Sequence, residues 1–188
     1  DAKEMKDIIK NEFYEHIKVA NSLLSLTDEL ASAAQLCIDS IKSGGKILLL
    51  GNGGSAADAQ HIAAELIGRY KTDRKSIPAI ALSTDTSVIT AIANDYGYDN
   101  VFKRQIEGIA NKGDVVIGIS TSGNSVNVIN ALNLALELNC KTIGLTGEVK
   151  GAMNDICNIN LAVQSRDTPR IQEMHIIIGH TICHLIEQ

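Results

Sequence analysis

Three groups of side chains in this sequence have types and spacings suited to chemistry. The first is Asp58, His61, Glu65 and Arg69, separated by three, four and four residues. On a helix those steps place all four on one stripe, with Ile62, Ala63, Leu66 and Tyr70 on the other side. Standing alone, such a stripe reads as an exposed face of alternating charge. A histidine and a carboxylate at i, i+4 also suit one divalent metal, their Cβ atoms being about 6 Å apart. The second group is Gln172, His175, His180 and His184, caught among the apolar residues that dominate the stretch from Ile171 to Ile186. One buried histidine reads as a hydrogen-bonded core residue; four polar side chains in one buried helix point further. By spacing, His180 and His184 make the better metal pair. Gln172 and His180 stand about 12 Å apart in helix rise.

Two loops form the third group. The apolar run Lys46–Leu50 leads into Gly51-Asn-Gly-Gly-Ser55 and then a helical pattern. Gly51-x-Gly53-x-x-Ala56 loosely fits the dinucleotide fingerprint, but the acidic residue expected about 20 residues on is missing. Asp73 lies in a loop and Asp85 comes too late. No Gly-Lys-Ser/Thr follows, which excludes a Walker loop. The segment reads as a tight turn or as an anion or sugar cradle, with Ser55 as helix cap and Asp58 three residues later. The second loop, Ser120-Thr-Ser-Gly-Asn-Ser125, closes the apolar run that begins at Val115. A plain helix cap needs one hydroxyl. Four hydroxyls at a helix start supply the neutral donors, and the helix its positive dipole end, that a phosphate monoester requires.

The elements that position these groups follow from hydrophobic period. Met5, Ile8, Ile9, Phe13 and Ile17, then Leu23, Leu26, Leu30, Ala34, Ile38 and Ile41, recur at helical spacing, and Gly44-Gly45 ends the second helix. Five short apolar runs read as strands: 46–50, 77–82, 115–120, 142–145 and 159–163. Helical patterns separate them at 56–70, 87–94, 101–110, 126–138 and 152–157. The alternation predicts a doubly wound, flavodoxin-like α/β fold with a parallel sheet and a site at the carboxyl ends of the strands. A last helix starts at Thr168-Pro169, Thr as cap and Pro at its first position, and is apolar nearly all round, so it is expected to be buried, in the core or between subunits. The N-terminal helical pair, residues 1–43, lies outside the alternation. Its apolar stripe needs cover, for which partner subunits are the natural candidate. Residues 44–188 form the α/β core of a single domain.

Composition narrows the function. Of 188 residues, 45% are hydrophobic and 21% charged, an ordinary globular balance. A net charge of −5 argues against nucleic-acid binding. The basic spots Lys71, Arg74 and Lys75 read as a solvated loop. No secretory leader or apolar run of membrane-spanning length is visible, and Cys37, Cys140, Cys157 and Cys183 form no CxxC pair. Reduced thiols in a cytoplasmic protein, without a membrane partner, are expected.

The segments Gly51-Asn-Gly-Gly-Ser-Ala-Ala-Asp-Ala-Gln-His61, Ala64-Glu65-Leu-Ile-Gly-Arg69, Thr84-Asp-Thr-Ser87, Ala93-Asn-Asp95, Ser120-Thr-Ser-Gly-Asn-Ser125 and Arg170-Ile-Gln-Glu-Met-His175 together closely resemble the SIS (sugar isomerase) family. The likeness covers essentially the whole chain. It implies aldose–ketose isomerisation of sedoheptulose 7-phosphate to D-glycero-D-manno-heptose 7-phosphate, through an enediol(ate). It implies a homotetramer with sites between subunits and one zinc ion per subunit, held by His61, Glu65, Gln172 and His180. Glu65 and His180 would be the catalytic pair. Asn52, Gly53, Gly54, Ser55, Glu65, Arg69, Asn94, Asp95, Ser120, Thr121, Ser122, Ser125, Thr168 and Gln172 would hold the sugar phosphate. On this likeness Gln172 displaces His184 as a ligand. Val126 stands where the family has proline, and Arg166 where an aspartate commonly precedes Asp167, which leaves fine substrate preference open. The alternative is a non-catalytic SIS protein that binds a replication initiator or senses a sugar phosphate; such a protein would be expected to lack the Glu65–His180 pair.

Overall fold

A computed structural model describes residues 1–188. Its centre is a parallel sheet in the order β2-β1-β3-β4-β5, formed by Ile47–Gly51 (β1), Ala79–Ala81 (β2), Val115–Ile119 (β3), Lys141–Thr146 (β4) and Ile159–Ala162 (β5). All five apolar runs become strands, so the doubly wound reading holds. The second is shorter than its run because Pro78 has no N–H to give to a ladder; its carbonyl still accepts from the Ile47 N–H. β1 pairs with β3 from Ile47 opposite Val115 to Gly51 opposite Ile119. The strand order reverses at this pair, so the crevice at its carboxyl end is where a ligand belongs.

Alternate strand residues feed two cores. Ile47, Leu49, Ile117, Ile119, Ile143 and Leu145 face one side, under α2 (Thr27–Lys42), α3 (Gly54–Ile67) and α8 (Thr168–Ile186). Leu48, Leu50 and Val116 face the other, under α5 (Lys103–Ile109) and α6 (Val126–Glu137). Between them in the chain run α4 (Thr86–Tyr96) and the short α7 (Met153–Ile156). The N-terminal helices divide differently from expectation. α2 is a core helix, with Ala33 and Cys37 fully buried. Only α1 (Ala2–Ser22) keeps an open apolar stripe, where Met5, Ile8 and Phe13 are each about two-thirds exposed. The four cysteines are free thiols, three of them buried.

α8 is not buried all round: Ile171, Met174, His175, Ile178, Ile182 and Cys183 are covered, whereas Ile177 is 47% exposed. Asp167, not Thr168, occupies the cap position, so Thr168 and Pro169 are its first two helical residues. α8 meets α3 at Gly179, where an added Cβ would stand 2.4 Å from Ile62 Cδ1 and 2.7 Å from Ile62 Cγ1. Ile62 is 2% exposed and has little room to move. Two polar clamps hold the same helices. Glu187 accepts from the backbone N–H groups of Tyr70, Lys71 and Thr72 and from Arg74 Nε, at 2.9–3.0 Å. Arg74 in turn donates to the carbonyls of Glu65, Leu66 and Gly68, which terminate α3. The basic loop expected to be solvated is therefore tied down at Arg74, whose side chain is 16% exposed. At the other end, Arg170 binds Glu12 and Glu173, and Glu173 takes His16 Nδ1, fastening α1 to α8.

These contacts give two expectations. Gly179→Ala is destabilising in the wild-type background, because overpacking costs about 1–3 kcal/mol. In an Ile62→Ala background the clash disappears and alanine's helix propensity remains, so the same change stabilises by about 1 kcal/mol. Thermal melts of the four proteins check this reversal of sign. For Glu187, burial alone raises the carboxyl, but the three backbone donors and Arg74 outweigh it and hold it down from 4.5 to about 2. A depressed carboxylate stabilises fully above its unfolded value and loses that contribution as pH falls through its folded one. Glu187→Gln should thus lower Tm at neutral pH, with the gap closing between pH 4.5 and 2. A gap independent of pH would contradict the clamp.

Candidate active site

The close crossing of α3 and α8 brings His61 and His180 together. Their Nε2 atoms are 3.0 Å apart, with ring centroids 5.0 Å apart in an edge-on arrangement. Glu65, one helical turn beyond His61, places Oε2 at 3.7 Å from His180 Nε2 and 4.0 Å from His61 Nε2. All three ligand atoms lie within 4.8 Å of one another. With metal–ligand bonds of about 2.0–2.1 Å, tetrahedral neighbours stand roughly 3.3 Å apart. The observed spacings bracket that value, and two imidazoles with one carboxylate suit zinc, so the donor set fits such an ion. The side chains of Glu65 and His180 are 25% and 33% exposed, leaving the cluster open to a ligand.

His184, the partner of His180 by spacing, is not in this cluster. One turn further on, it lies edge-on to Tyr70 at 5.9 Å, the same ring that His180 meets at 5.5 Å. His175 is structural: fully buried, it shares a 2.9 Å hydrogen bond with the Thr146 carbonyl through Nε2. Burial pushes its pKa down to about 4, the carbonyl bond opposing only in part. Its Nδ1 has no partner. Arg69 falls beyond the end of α3, is exposed and makes no bond to Glu65, so the helical stripe stops at Glu65.

Gln172, eight residues before His180 on α8, is held at the start of α3, apart from the cluster. Its Nε2 donates to Asp58 Oδ2 at 3.0 Å and to Ser55 Oγ at 3.2 Å. Its Oε1 lies against Gly54, where an added Cβ would stand 2.6 Å away and would push the amide aside. Burial raises the Asp58 carboxyl above its usual range, opposed by the Gln172 N–H and by His61. Ser55 is not the cap of α3. Gly53, at φ +56°, takes that position, and Ser55 sits buried in the first turn.

The hydroxyl loop is a compact cradle. Ser120 Oγ lies 2.7 Å from Ser125 Oγ and 3.3 Å from Ser122 Oγ, and accepts the Gly123 N–H. Ser125 is the cap residue of α6 but makes no side-chain bond to that helix, which leaves first-turn N–H groups for an anion. Gly123, at φ +69°, presses on residue 150, where a Cβ would stand 1.9 Å from the Lys150 carbonyl oxygen. Thr121 and Ser122 line a cleft of about 210 Å³ with Ser165, Arg166 and Thr168. Arg166 there pairs with Glu148 at 2.8 Å. Val126 is the first residue of α6, where a proline's missing N–H is tolerated, so valine in its place is a mild change. Across the crevice, Asn52 is bonded to Asn127 and Tyr98, two residues whose part was not read from the sequence. Asn94 and Asp95 bond each other and are exposed. Neither side chain hydrogen-bonds to either loop.

The SIS domain family matches residues 12–147. The phosphoheptose isomerase of Aliarcobacter butzleri is 60% identical over 184 residues, 97% of each chain. Two solved structures superpose over nearly the full length. The phosphoheptose isomerase from Neisseria gonorrhoeae does so with a TM-score of 0.92 and 42% identity, covering 97% of this chain and 98% of its own. That from Francisella tularensis does so with a TM-score of 0.94 and 36% identity, covering 98% of each. A full-length likeness in sequence and fold, joined to the loops and the His–Glu–His cluster, leads to one conclusion: the chain belongs to the SIS-domain family, among its phosphoheptose isomerases.

Proposed function

We propose that the protein converts sedoheptulose 7-phosphate to D-glycero-D-manno-heptose 7-phosphate, for bacterial heptose synthesis toward lipopolysaccharide core or capsule. The observation that carries the mechanism is the approach of Glu65 Oε2 to His180 Nε2 at 3.7 Å beside His61. Aldose–ketose isomerisation needs a base for the carbon-bound proton, an acid–base group for the oxygens and stabilisation of the enediol(ate). Glu65 and His180 divide those proton transfers, one serving the two carbons and the other the two oxygens. His61, Glu65 and His180 would hold a zinc ion, which would supply Lewis-acid polarisation of the substrate oxygens. By family likeness Gln172 is the fourth ligand; because its amide is bonded to Ser55 and Asp58, it would reach that ion only by leaving those partners or from another subunit. The Ser120–Ser125 loop takes the phosphate on hydroxyls and helix N–H groups, and that remote binding positions the reacting carbons. Asn52, Gly53 and Gly54 hold the sugar chain; Asn94, Asp95, Arg69 and Thr168 complete the site.

Glu65 stands about 16 Å of helix rise beyond Gly54, so the cluster and the loops of one chain are well separated. A homotetramer that seats the loops of one subunit against the cluster of a neighbour resolves this. The open stripe of α1 and an apolar groove of about 430 Å³ between α1, α2 and α8 support such assembly. We read residues 1–188 as one domain. No helix is long and apolar enough to cross a membrane. The free thiols suit a reducing cytoplasm. A non-catalytic role is disfavoured by the retained Glu65–His180 pair. NMR of the sugar protons at C1 and C2 separates the two readings, because a mere binder leaves them unchanged.

Glu65→Gln and His180→Gln are each expected to lower kcat by about 10³-fold or more, with Tm and oligomeric state unchanged. Wild-type-like turnover in either variant removes the assignment. His61→Ala should cut bound zinc, measured by elemental analysis after dialysis, from about one ion per chain to well below it. Full retention of metal would place the ion elsewhere.

A further inference from the structure

Asn52 and Asn127 face each other across the crevice between β1 and β3 and exchange two hydrogen bonds. Asn52 Nδ2 donates to Asn127 Oδ1 and Asn127 Nδ2 donates to Asn52 Oδ1, both at 2.9 Å. Tyr98 Oη adds a third bond, donating to Asn52 Oδ1 at 3.0 Å. The two asparagines come from the two ligand loops: Asn52 from the glycine loop after β1, and Asn127 from the first turn of α6, directly after the hydroxyl loop. Asn127 is 4% exposed, so a lost partner cannot readily be replaced by water. The pairing also fixes what Asn52 can offer. An amide oxygen accepts two bonds, and both places are taken; an amide nitrogen donates two, and one is taken. Asn52 therefore presents a single N–H to the crevice and no acceptor.

We propose that Asn127, assisted by Tyr98, is a positioning residue that acts through Asn52. It locks the amide so that its one free N–H donates to an oxygen of the sugar chain, while the neighbouring hydroxyl loop holds the phosphate. The proposal rests on the isomerase reading for the identity of the ligand, but the lock itself is a matter of geometry. It differs from a purely structural role for Asn127 in what it leaves intact. The hydroxyls and helix N–H groups that take phosphate do not depend on Asn52. Loss of the lock should harm sugar-phosphate turnover and spare binding of phosphate itself.

The test combines kinetics with a structure. For Asn127→Ala, kcat/KM for sedoheptulose 7-phosphate should fall roughly 10- to 100-fold, the scale of a misplaced positioning contact. The inhibition constant of inorganic phosphate should stay within about twofold. In the double variant Asn52→Ala/Asn127→Ala, the loss should equal that of Asn52→Ala alone, because a residue acting through another adds nothing once its target is gone. Additive losses, or phosphate affinity falling in step with turnover, overturn the proposal. A crystal structure of Asn127→Ala decides the lock independently of activity. Asn52 displaced or turned over in the crevice supports it; Asn52 unmoved on Tyr98 alone refutes it. Wild-type protein without isomerase turnover would instead sink the functional reading, and the structure of the variant would still decide the lock.

Discussion

The site depends on how closely α8 can approach α3. Gly179 has no side chain where Ile62 needs the space, and a methyl group there would stand 2.4 Å from Ile62 Cδ1. His61 adjoins Ile62 and His180 adjoins Gly179, so the contact that closes the helices also sets the 3.0 Å between the two imidazoles. Glu65 follows from helical pitch. Because packed interiors deform little, a small change in this crossing would be passed directly to the three ligand atoms. The Glu187–Arg74 clamp serves the same end, satisfying the last carbonyls of α3 from a loop that α8 itself holds.

Around this crossing the chain divides its labour by strand end and helix length. The carboxyl ends of β1 and β3 carry two loops with complementary donors: glycine backbone and a locked amide on one side, four hydroxyls on the other. Further along α3 stands the His61–Glu65–His180 cluster, supplying the titratable groups. A phosphate needs fixed neutral donors and a helix terminus, whereas proton transfer needs groups that change charge. Separating the two lets each be built without spoiling the other. On the proposed function it also makes assembly part of the chemistry, since the parts would have to meet on one sugar.

Much of this was legible in the sequence because it rests on local pattern. The short apolar runs became the five strands, and the i, i+4 step from His61 to Glu65 formed the pair that the spacing suggested. What stayed hidden depends on contacts between distant segments. Helical spacing favours His184 as the partner of His180, but only the crossing point at Gly179 decides which turn of α8 faces α3. Arg74 looked like part of a solvated basic loop, because nothing near it announces a carboxylate at residue 187. Ser55 looked like a cap by type, yet Gly53 with its positive φ takes that place and Ser55 turns inward to Gln172. Asn127 drew no notice in an apolar helical pattern; a polar amide at the second position after a hydroxyl loop was the available signal.

The most direct measurement is a crystal structure of the assembled protein with sedoheptulose 7-phosphate or an enediolate-like analogue bound. The account predicts the phosphate in the Ser120–Ser125 loop and the first two sugar carbons about 3–3.5 Å from the Glu65 carboxylate and the His180 imidazole. A sugar phosphate bound with those carbons distant from both groups, in every subunit, would contradict it.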